Sequence, residues 1–290
     1  MQDTAAYLYK VVTALAQEIG VRTHLDVDKL GRCADAIAGE FNSFGFKTTR
    51  QPVPIDGNTY QNIIAERAGN ASPEKILIVG AHYDTVRTTP GADDNASGVA
   101  GLLALARTFA GVTMSKTVRF VAFALEEPPF FRTRNMGSYH YARSLKKNRE
   151  KVEGMICLEM IGFFSDREGS QQYPFPLLRR KFPTKGNYIA MVGNMRSKRF
   201  TKTTAESFIK AVDLPVVTLN APPIVIGIDF SDHWSFGKFG YTALMVTDTA
   251  FYRNPHYHAA TDLPETLDYN RMAKVVRGLT AAVKEWGGKQ

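Results

Sequence analysis

The chain has 290 residues, 44% of them hydrophobic, and carries 36 Lys and Arg against 28 Asp and Glu for a formal net charge of +8. That length can bury a large core, and the positive balance permits an acidic partner; the cations are spread, however, and no nucleic-acid-binding motif accompanies them, so DNA or RNA is not favoured. Cys33 and Cys157 are the two cysteines, each inside an apolar segment, and read as buried free thiols rather than a disulfide.

The opening segment places Leu8, Val11, Val12, Leu15 and Ile19 at helical spacing, and a second amphipathic helix carries Leu30, Cys33, Ile37 and Phe41. Residues 76–81 form an apolar run that reads as a buried strand, followed by a helix over 96–109, a strand over 117–124 and a helix over 138–147. Strands are expected near 155–159, 188–193, 215–219 and 242–247, with helices near 199–212 and 269–286. This alternation predicts an α/β fold around a largely parallel sheet. No repeat or linker-like stretch divides the chain, so one domain over 1–290 is expected. Long loops are expected at 128–135, 163–187 and 221–232, where Phe130, Phe131, Ile228 and Phe230 either wall a pocket or pack the loops down. The start lacks a basic region followed by a long apolar stretch, and no segment is long enough to span a bilayer. A soluble chain follows, with cytoplasm favoured unless a leader has been removed.

Metal-type side chains close several of the apolar runs. His82 follows residues 76–81, Glu126 and Glu127 follow residues 118–125, and Glu159 follows residues 155–158. In open α/β sheets the carboxyl ends of strands form the ligand crevice. Asp94 lies in Gly-Ala-Asp-Asp-Asn-Ala-Ser-Gly, where Asn95 or Ser97 could also cap the following helix, and His258 lies in Asn-Pro-His-Tyr-His. Each piece alone suits an ordinary structural role. Carboxylates brought together without a counter-ion would repel and resist ionisation, a conflict that a metal relieves.

The ordered series HYD, DDNASG, EE, LEM, SDH and YH, followed by Thr261-Asp262, resembles the zinc aminopeptidases, among them the bacterial leucyl aminopeptidases, with glutamate carboxypeptidases and glutaminyl cyclases as more distant relatives. Residues 19–22, ending in Arg22, also look familial. The resemblance implies a mixed sheet sandwiched by helices and two zinc ions, one held by His82, Asp94 and Glu159 and the other by Asp94, Glu127 and His258, with Asp94 bridging. It further implies that Asp84 accepts the free ring N–H of His82 and that Glu126 is the general base for a water bridging the metals. Glu159 departs from the Asp that many relatives carry, yet still reaches a zinc. His256 is the rival to His258, and the family pattern places the ligand directly after Tyr257. His233 either lines the site or is structural. The implied activity is an exopeptidase acting on peptides, with an aminopeptidase favoured. The alternatives are a carboxypeptidase or dipeptidase, in which Arg132 or Arg253 clamps a carboxylate, and a glutaminyl cyclase-like transferase.

Overall fold

The apolar run at 76–81 is hydrophobic throughout because both of its faces are covered. In the computed structural model, which describes residues 2–288, it forms the core of β3 (Ser72–His82), with Leu77, Val79 and Ala81 packed into one hydrophobic cluster and Ile76 and Ile78 into another. Successive side chains of a strand point to opposite faces, which accounts for the division. The larger cluster draws on α1 (Gln2–Thr13, continued by a π-helical turn at Ala14–Ile19), α2 (Val27–Ser43), α3 (Gly98–Phe109), α5 (Lys198–Ala211) and α7 (Tyr269–Gly287). The smaller one lies under α4 (Gly137–Lys147) and α6 (His233–Lys238). Fully burying a Leu, Val, Ile or Phe contributes about 1.5–3 kcal/mol, so each covered face is a major source of stability.

The remaining strands are β1 (Thr48–Ile55), β2 (Asn58–Arg67), β4 (Lys116–Phe123), β5 (Lys151–Glu159), β6 (Ile189–Gly193), β7 (Val216–Asn220) and β8 (Ala243–Thr247). Together they form a sheet of eight strands in the order β1-β2-β4-β3-β5-β8-β6-β7. The pairs β3–β4, β3–β5, β5–β8 and β6–β7 are parallel, whereas β1–β2, β2–β4 and β6–β8 are antiparallel. The mixed, mostly parallel sheet between helices agrees with the sequence reading. Two strands, β1 and β2, go beyond it; β1 contains Pro52 and Pro54, which weaken a strand signal. Pro is tolerated there because β1 is an edge strand. The hairpin does carry a local signal: Asp56-Gly57 joins β1 to β2, with positive φ of 49° and 81° at the two residues.

Helix starts follow side-chain chemistry. Asp26 accepts the Lys29 N–H at 2.9 Å to cap α2, and Asp268 accepts the Arg271 N–H at 2.9 Å to cap α7. Both cysteines are free and buried. No described helix is long and apolar enough to cross a membrane.

Candidate metal centre

Strands β4, β3 and β5 lie side by side in parallel, so their carboxyl ends meet at one edge of the sheet. His82 ends β3, Glu159 ends β5, and Glu126 and Glu127 follow β4. Asp94 comes from a π-helical turn (Ala92–Ser97) leading into α3, and His258 from the segment after β8. Left-handed backbone recurs beside these side chains, with φ of 61° at Leu125, 48° at Met160 and 55° at His258. Such conformations cost about 1–2 kcal/mol each for non-glycine residues and concentrate where a chain is bent to aim a functional group.

His82 Nε2 lies 3.2 Å from Glu159 Oε2, 3.5 Å from Asp94 Oδ1 and 3.9 Å from Glu126 Oε2. His258 Nε2 lies 3.1 Å from Asp94 Oδ2 and 3.4 Å from Glu127 Oε2. Two donor groups result, His82–Asp94–Glu159 and Asp94–Glu127–His258, each with its donor atoms within 4.8 Å of one another. Asp94 belongs to both and turns one oxygen toward each histidine. His82 Nε2, His258 Nε2 and Glu127 Oε1 are buried without a hydrogen-bond partner among the described residues. Imidazole nitrogens and carboxylate oxygens are ordinary zinc donors, and a cation would satisfy all three orphaned atoms, so the residues present fit zinc.

Without a cation the electrostatics are strained. Burial, reinforced by the charges of Glu159, Glu127 and Asp232, pushes the Glu126 carboxyl well above its ordinary range. Burial and the charge of Asp94 raise Glu127 to about 8. Burial disfavours the His258 imidazolium, yet Asp94 and Glu127 outweigh it and raise His258 to about 10. His82 is likewise raised, with burial opposing and the charges of Glu159 and Glu126 prevailing.

The surrounding hydrogen bonds hold the loops in place. Asp84 accepts the backbone N–H of Glu126 through Oδ1 and that of Glu127 through Oδ2, each at 3.0 Å. His82 Nδ1 is 3.5 Å from Asp84 Oδ1 and 3.2 Å from the Asp84 carbonyl oxygen, so Asp84 engages both that ring and the glutamate pair. Asn95 caps α3, accepting the Gly98 N–H at 3.2 Å, and also ties the turn to the end of β5 by donating to Leu158 O at 2.9 Å. Gly98 is required there, because a Cβ would lie 2.7 Å from Leu158 O. Asp262 accepts the N–H groups of Asp93 and Asp94 at 2.9 and 3.1 Å.

Arg22, fully buried, donates to the carbonyls of Tyr83, Leu15 and Pro90 at 2.8 Å and of Gly91 at 2.9 Å, clamping the loops that carry His82 and Asp94. Three supports go beyond the sequence reading: this clamp, the Ser231 hydroxyl that donates to Glu159 Oε2 at 2.6 Å, and the buried Asp232 carboxylate, unpartnered among the described residues. The Ser231-Asp232-His233 motif was the available signal for the last two.

Other candidates fall elsewhere. His256 is in neither donor group, and its Nδ1 pairs with Thr261 Oγ1 at 2.9 Å. Arg132 is paired with Asp229 at 3.0 Å, and buried Arg253 donates to Gln171 Oε1 at 2.9 Å and Tyr188 O at 2.8 Å. Phe131, Ile228 and Phe230 line a cavity of about 320 Å³ that opens from Asp94, Glu126, Glu127, Glu159 and His258. Phe130 instead packs into the core and against His24.

His233 is structural in its contacts. Its Nε2 donates to Ile228 O at 2.7 Å, its Nδ1 is buried without a partner among the described residues, and burial lowers its pKa to about 4. The neutral ring is therefore favoured in the fold, while the unfolded ring titrates near 6.5. This contribution to stability is fully present above about pH 6.5 and is lost as the pH falls toward 4. Roughly 2 kcal/mol should disappear between pH 7 and pH 5. Denaturant unfolding of the metal-free protein at those two pH values should show a smaller drop for His233→Gln than for the parent; equal drops would exclude His233 as the cause.

Residues 62–283 match the family model described as Peptidase family M28. The chain is 42% identical over 280 residues to "Uncharacterized protein YfbL" of Escherichia coli (strain K12), covering 94% of this chain and 85% of that protein. It is 31% identical over 234 residues to "Probable leucine aminopeptidase" of Trichophyton verrucosum, covering 75% of this chain and 55% of that protein. The chain spans about half the length, or less, of the matched relatives whose names state an activity. Among solved structures, a zinc aminopeptidase from Bacillus subtilis aligns with a TM-score of 0.77 at 18% identity, covering 97% of this chain and 95% of that one. A glutaminyl cyclase from Fimbriiglobus ruber aligns with a TM-score of 0.73 at 20% identity, covering 97% and 94%. At these identities the likeness is one of fold.

Proposed function

The chain belongs to peptidase family M28, a zinc-dependent peptidase family with relatives named as aminopeptidases and zinc metalloproteases, and on that premise we propose that it is a di-zinc aminopeptidase removing amino-terminal residues from peptides. His82, Asp94 and Glu159 would hold one zinc, and Asp94, Glu127 and His258 the other. When bound, the pair supplies positive charge that acidifies a water and polarises the scissile carbonyl. The donor residues, spread from position 82 to position 258, sit on or beside the strands of one continuous sheet, which supports reading the chain as one catalytic domain.

Glu126 stands beside both donor groups without belonging to either, in a buried position that favours holding a proton. It takes a proton from the attacking water as the water oxygen bonds to the carbonyl carbon. As the C–N bond breaks, it returns that proton to the leaving nitrogen. Asp84 fixes the backbone from which Glu126 acts.

The single observation that carries the aminopeptidase reading is the charge of the cavity lining. Among the described residues that line it are four carboxylates, all at the metal end, and no arginine or lysine. A free α-amine finds carboxylate partners there, whereas the lining offers a substrate carboxylate no arginine or lysine to clamp it. The arginines considered as clamps are engaged with Asp229, Gln171 and Tyr188.

Amino-acid p-nitroanilides, which have a free amine and no carboxylate, should be hydrolysed, and acetylating that amine should reduce kcat/KM by at least about a hundredfold. Cleavage restricted to amine-blocked peptides with a free carboxyl end would instead establish a carboxypeptidase. Cyclisation of an amino-terminal Gln to pyroglutamate, with loss of ammonia and the peptide chain left intact, would establish a cyclase.

A further inference from the structure

We propose that the cavity selects a large aromatic residue at the amino end of the substrate, with tryptophan preferred over leucine; this deepens the aminopeptidase reading and rests on it. The register of the sheet carries the argument. Glu159 on β5 pairs with Thr247 on β8, Thr247 with Ala190 on β6, and Ala190 with Val217 on β7. One row of residues thus runs from a candidate zinc ligand to the edge strand of the sheet. At about 4.8 Å per strand the row is roughly 14 Å long. A second row, Met245–Val192–Leu219, lies on the same face, and all six residues beyond Glu159 line the cavity. The small side chain of Ala190 keeps the middle of this floor low.

Rings form the wall above the floor. Phe131 meets Phe230 edge-to-face at 5.4 Å between centroids, Phe230 lies 6.4 Å from Phe251, and Phe251 lies 4.4 Å from Tyr252. A ring entering this space finds both edges and faces to pack against. The cavity volume, about 320 Å³, is twice the roughly 150 Å³ that takes up one benzene ring. A leucine side chain near Glu159 would leave the β6–β7 end unfilled, while a bicyclic indole extends into it. Charged side chains are disfavoured, because the far end has no ionised partner to offer. The preference departs from the leucine in the names of the fungal relatives.

The test compares tryptophan, leucine and alanine p-nitroanilides by kcat/KM, and the binding of free tryptophan, leucine and alanine to the zinc-loaded protein by calorimetry. Tryptophan should exceed leucine at least about tenfold and alanine at least about a hundredfold. Ala190→Leu, which raises the floor at mid-row, should lower the tryptophan-to-alanine ratio by about thirtyfold. Val217→Phe, on the edge strand, should lower the same ratio and serves if the first variant does not fold. Leucine matching or exceeding tryptophan in cleavage and in binding would overturn the proposal, as would variants that reduce all three substrates equally. Should no p-nitroanilide be cleaved while tryptophan still binds tenfold tighter than leucine and loses that advantage in the variants, the aminopeptidase reading fails and the pocket's aromatic selectivity stands.

Discussion

Replacing Glu126 with Gln is expected to lower kcat by roughly 10²–10⁴-fold while the protein keeps its zinc. Glutamine preserves the size of the side chain and leaves both donor groups complete, since Glu126 belongs to neither. What it removes is a group able to gain and lose a proton. Glu127→Ala should behave in the opposite way, because Glu127 Oε2 lies 3.4 Å from His258 Nε2 within a donor group; metal should be lost along with activity. Elemental analysis of purified variants, paired with p-nitroanilide turnover, separates the two effects. Near-normal kcat in the Glu126→Gln protein would exclude Glu126 as the proton carrier.

The contrast between these neighbouring glutamates is only partly written in the chain. His82, Glu126, Glu127 and Glu159 are legible because each closes or follows an apolar run, and a run of that length and composition implies a buried strand with an exposed carboxyl end. The helices are legible for the same kind of reason, as hydrophobic periodicity survives in Leu8, Val11, Val12 and Leu15 and in Leu30, Cys33, Ile37 and Phe41, all of them buried. The β1–β2 hairpin is not, because proline-containing edge strands suppress the strand signal and leave only the Asp56-Gly57 turn. Arg22 is harder still to read: it contacts Tyr83, Pro90 and Gly91, between 61 and 69 positions away, and all of its partners there are backbone carbonyls, which no side-chain pattern reveals. The arginines near the motifs show the reverse difficulty. Arg132 and Arg253 look available in the sequence, and only the fold shows them turned to Asp229 and to Gln171 and absent from the cavity lining.

Asp94→Asn should empty the centre, and it is the sharpest test of a shared carboxylate. Asp94 directs Oδ1 toward His82 and Oδ2 toward His258. Burial opposes its ionisation, but the imidazoles of His258 and His82 beside it hold the carboxyl well below its usual range. Asparagine keeps the shape, and the backbone stays anchored through Asp262, yet the amide removes the negative charge and turns an N–H₂ group toward one cation position. The parent is expected to bind two zinc ions per chain, His258→Gln about one, and Asp94→Asn close to none, with turnover of the last reduced at least about a thousandfold. Affinity should also rise with pH. In the metal-free protein Glu127 titrates near 8 and His258 near 10, so at pH 7 both hold protons that must leave before zinc can bind. Calorimetric titrations of the metal-free parent, repeated in buffers of different ionisation enthalpy, should therefore record proton release at pH 7 that shrinks as the pH approaches 10. Two ions retained by Asp94→Asn would show that the carboxylate is not shared, and zinc binding without proton release would show that the two histidines and Glu127 do not ligate it.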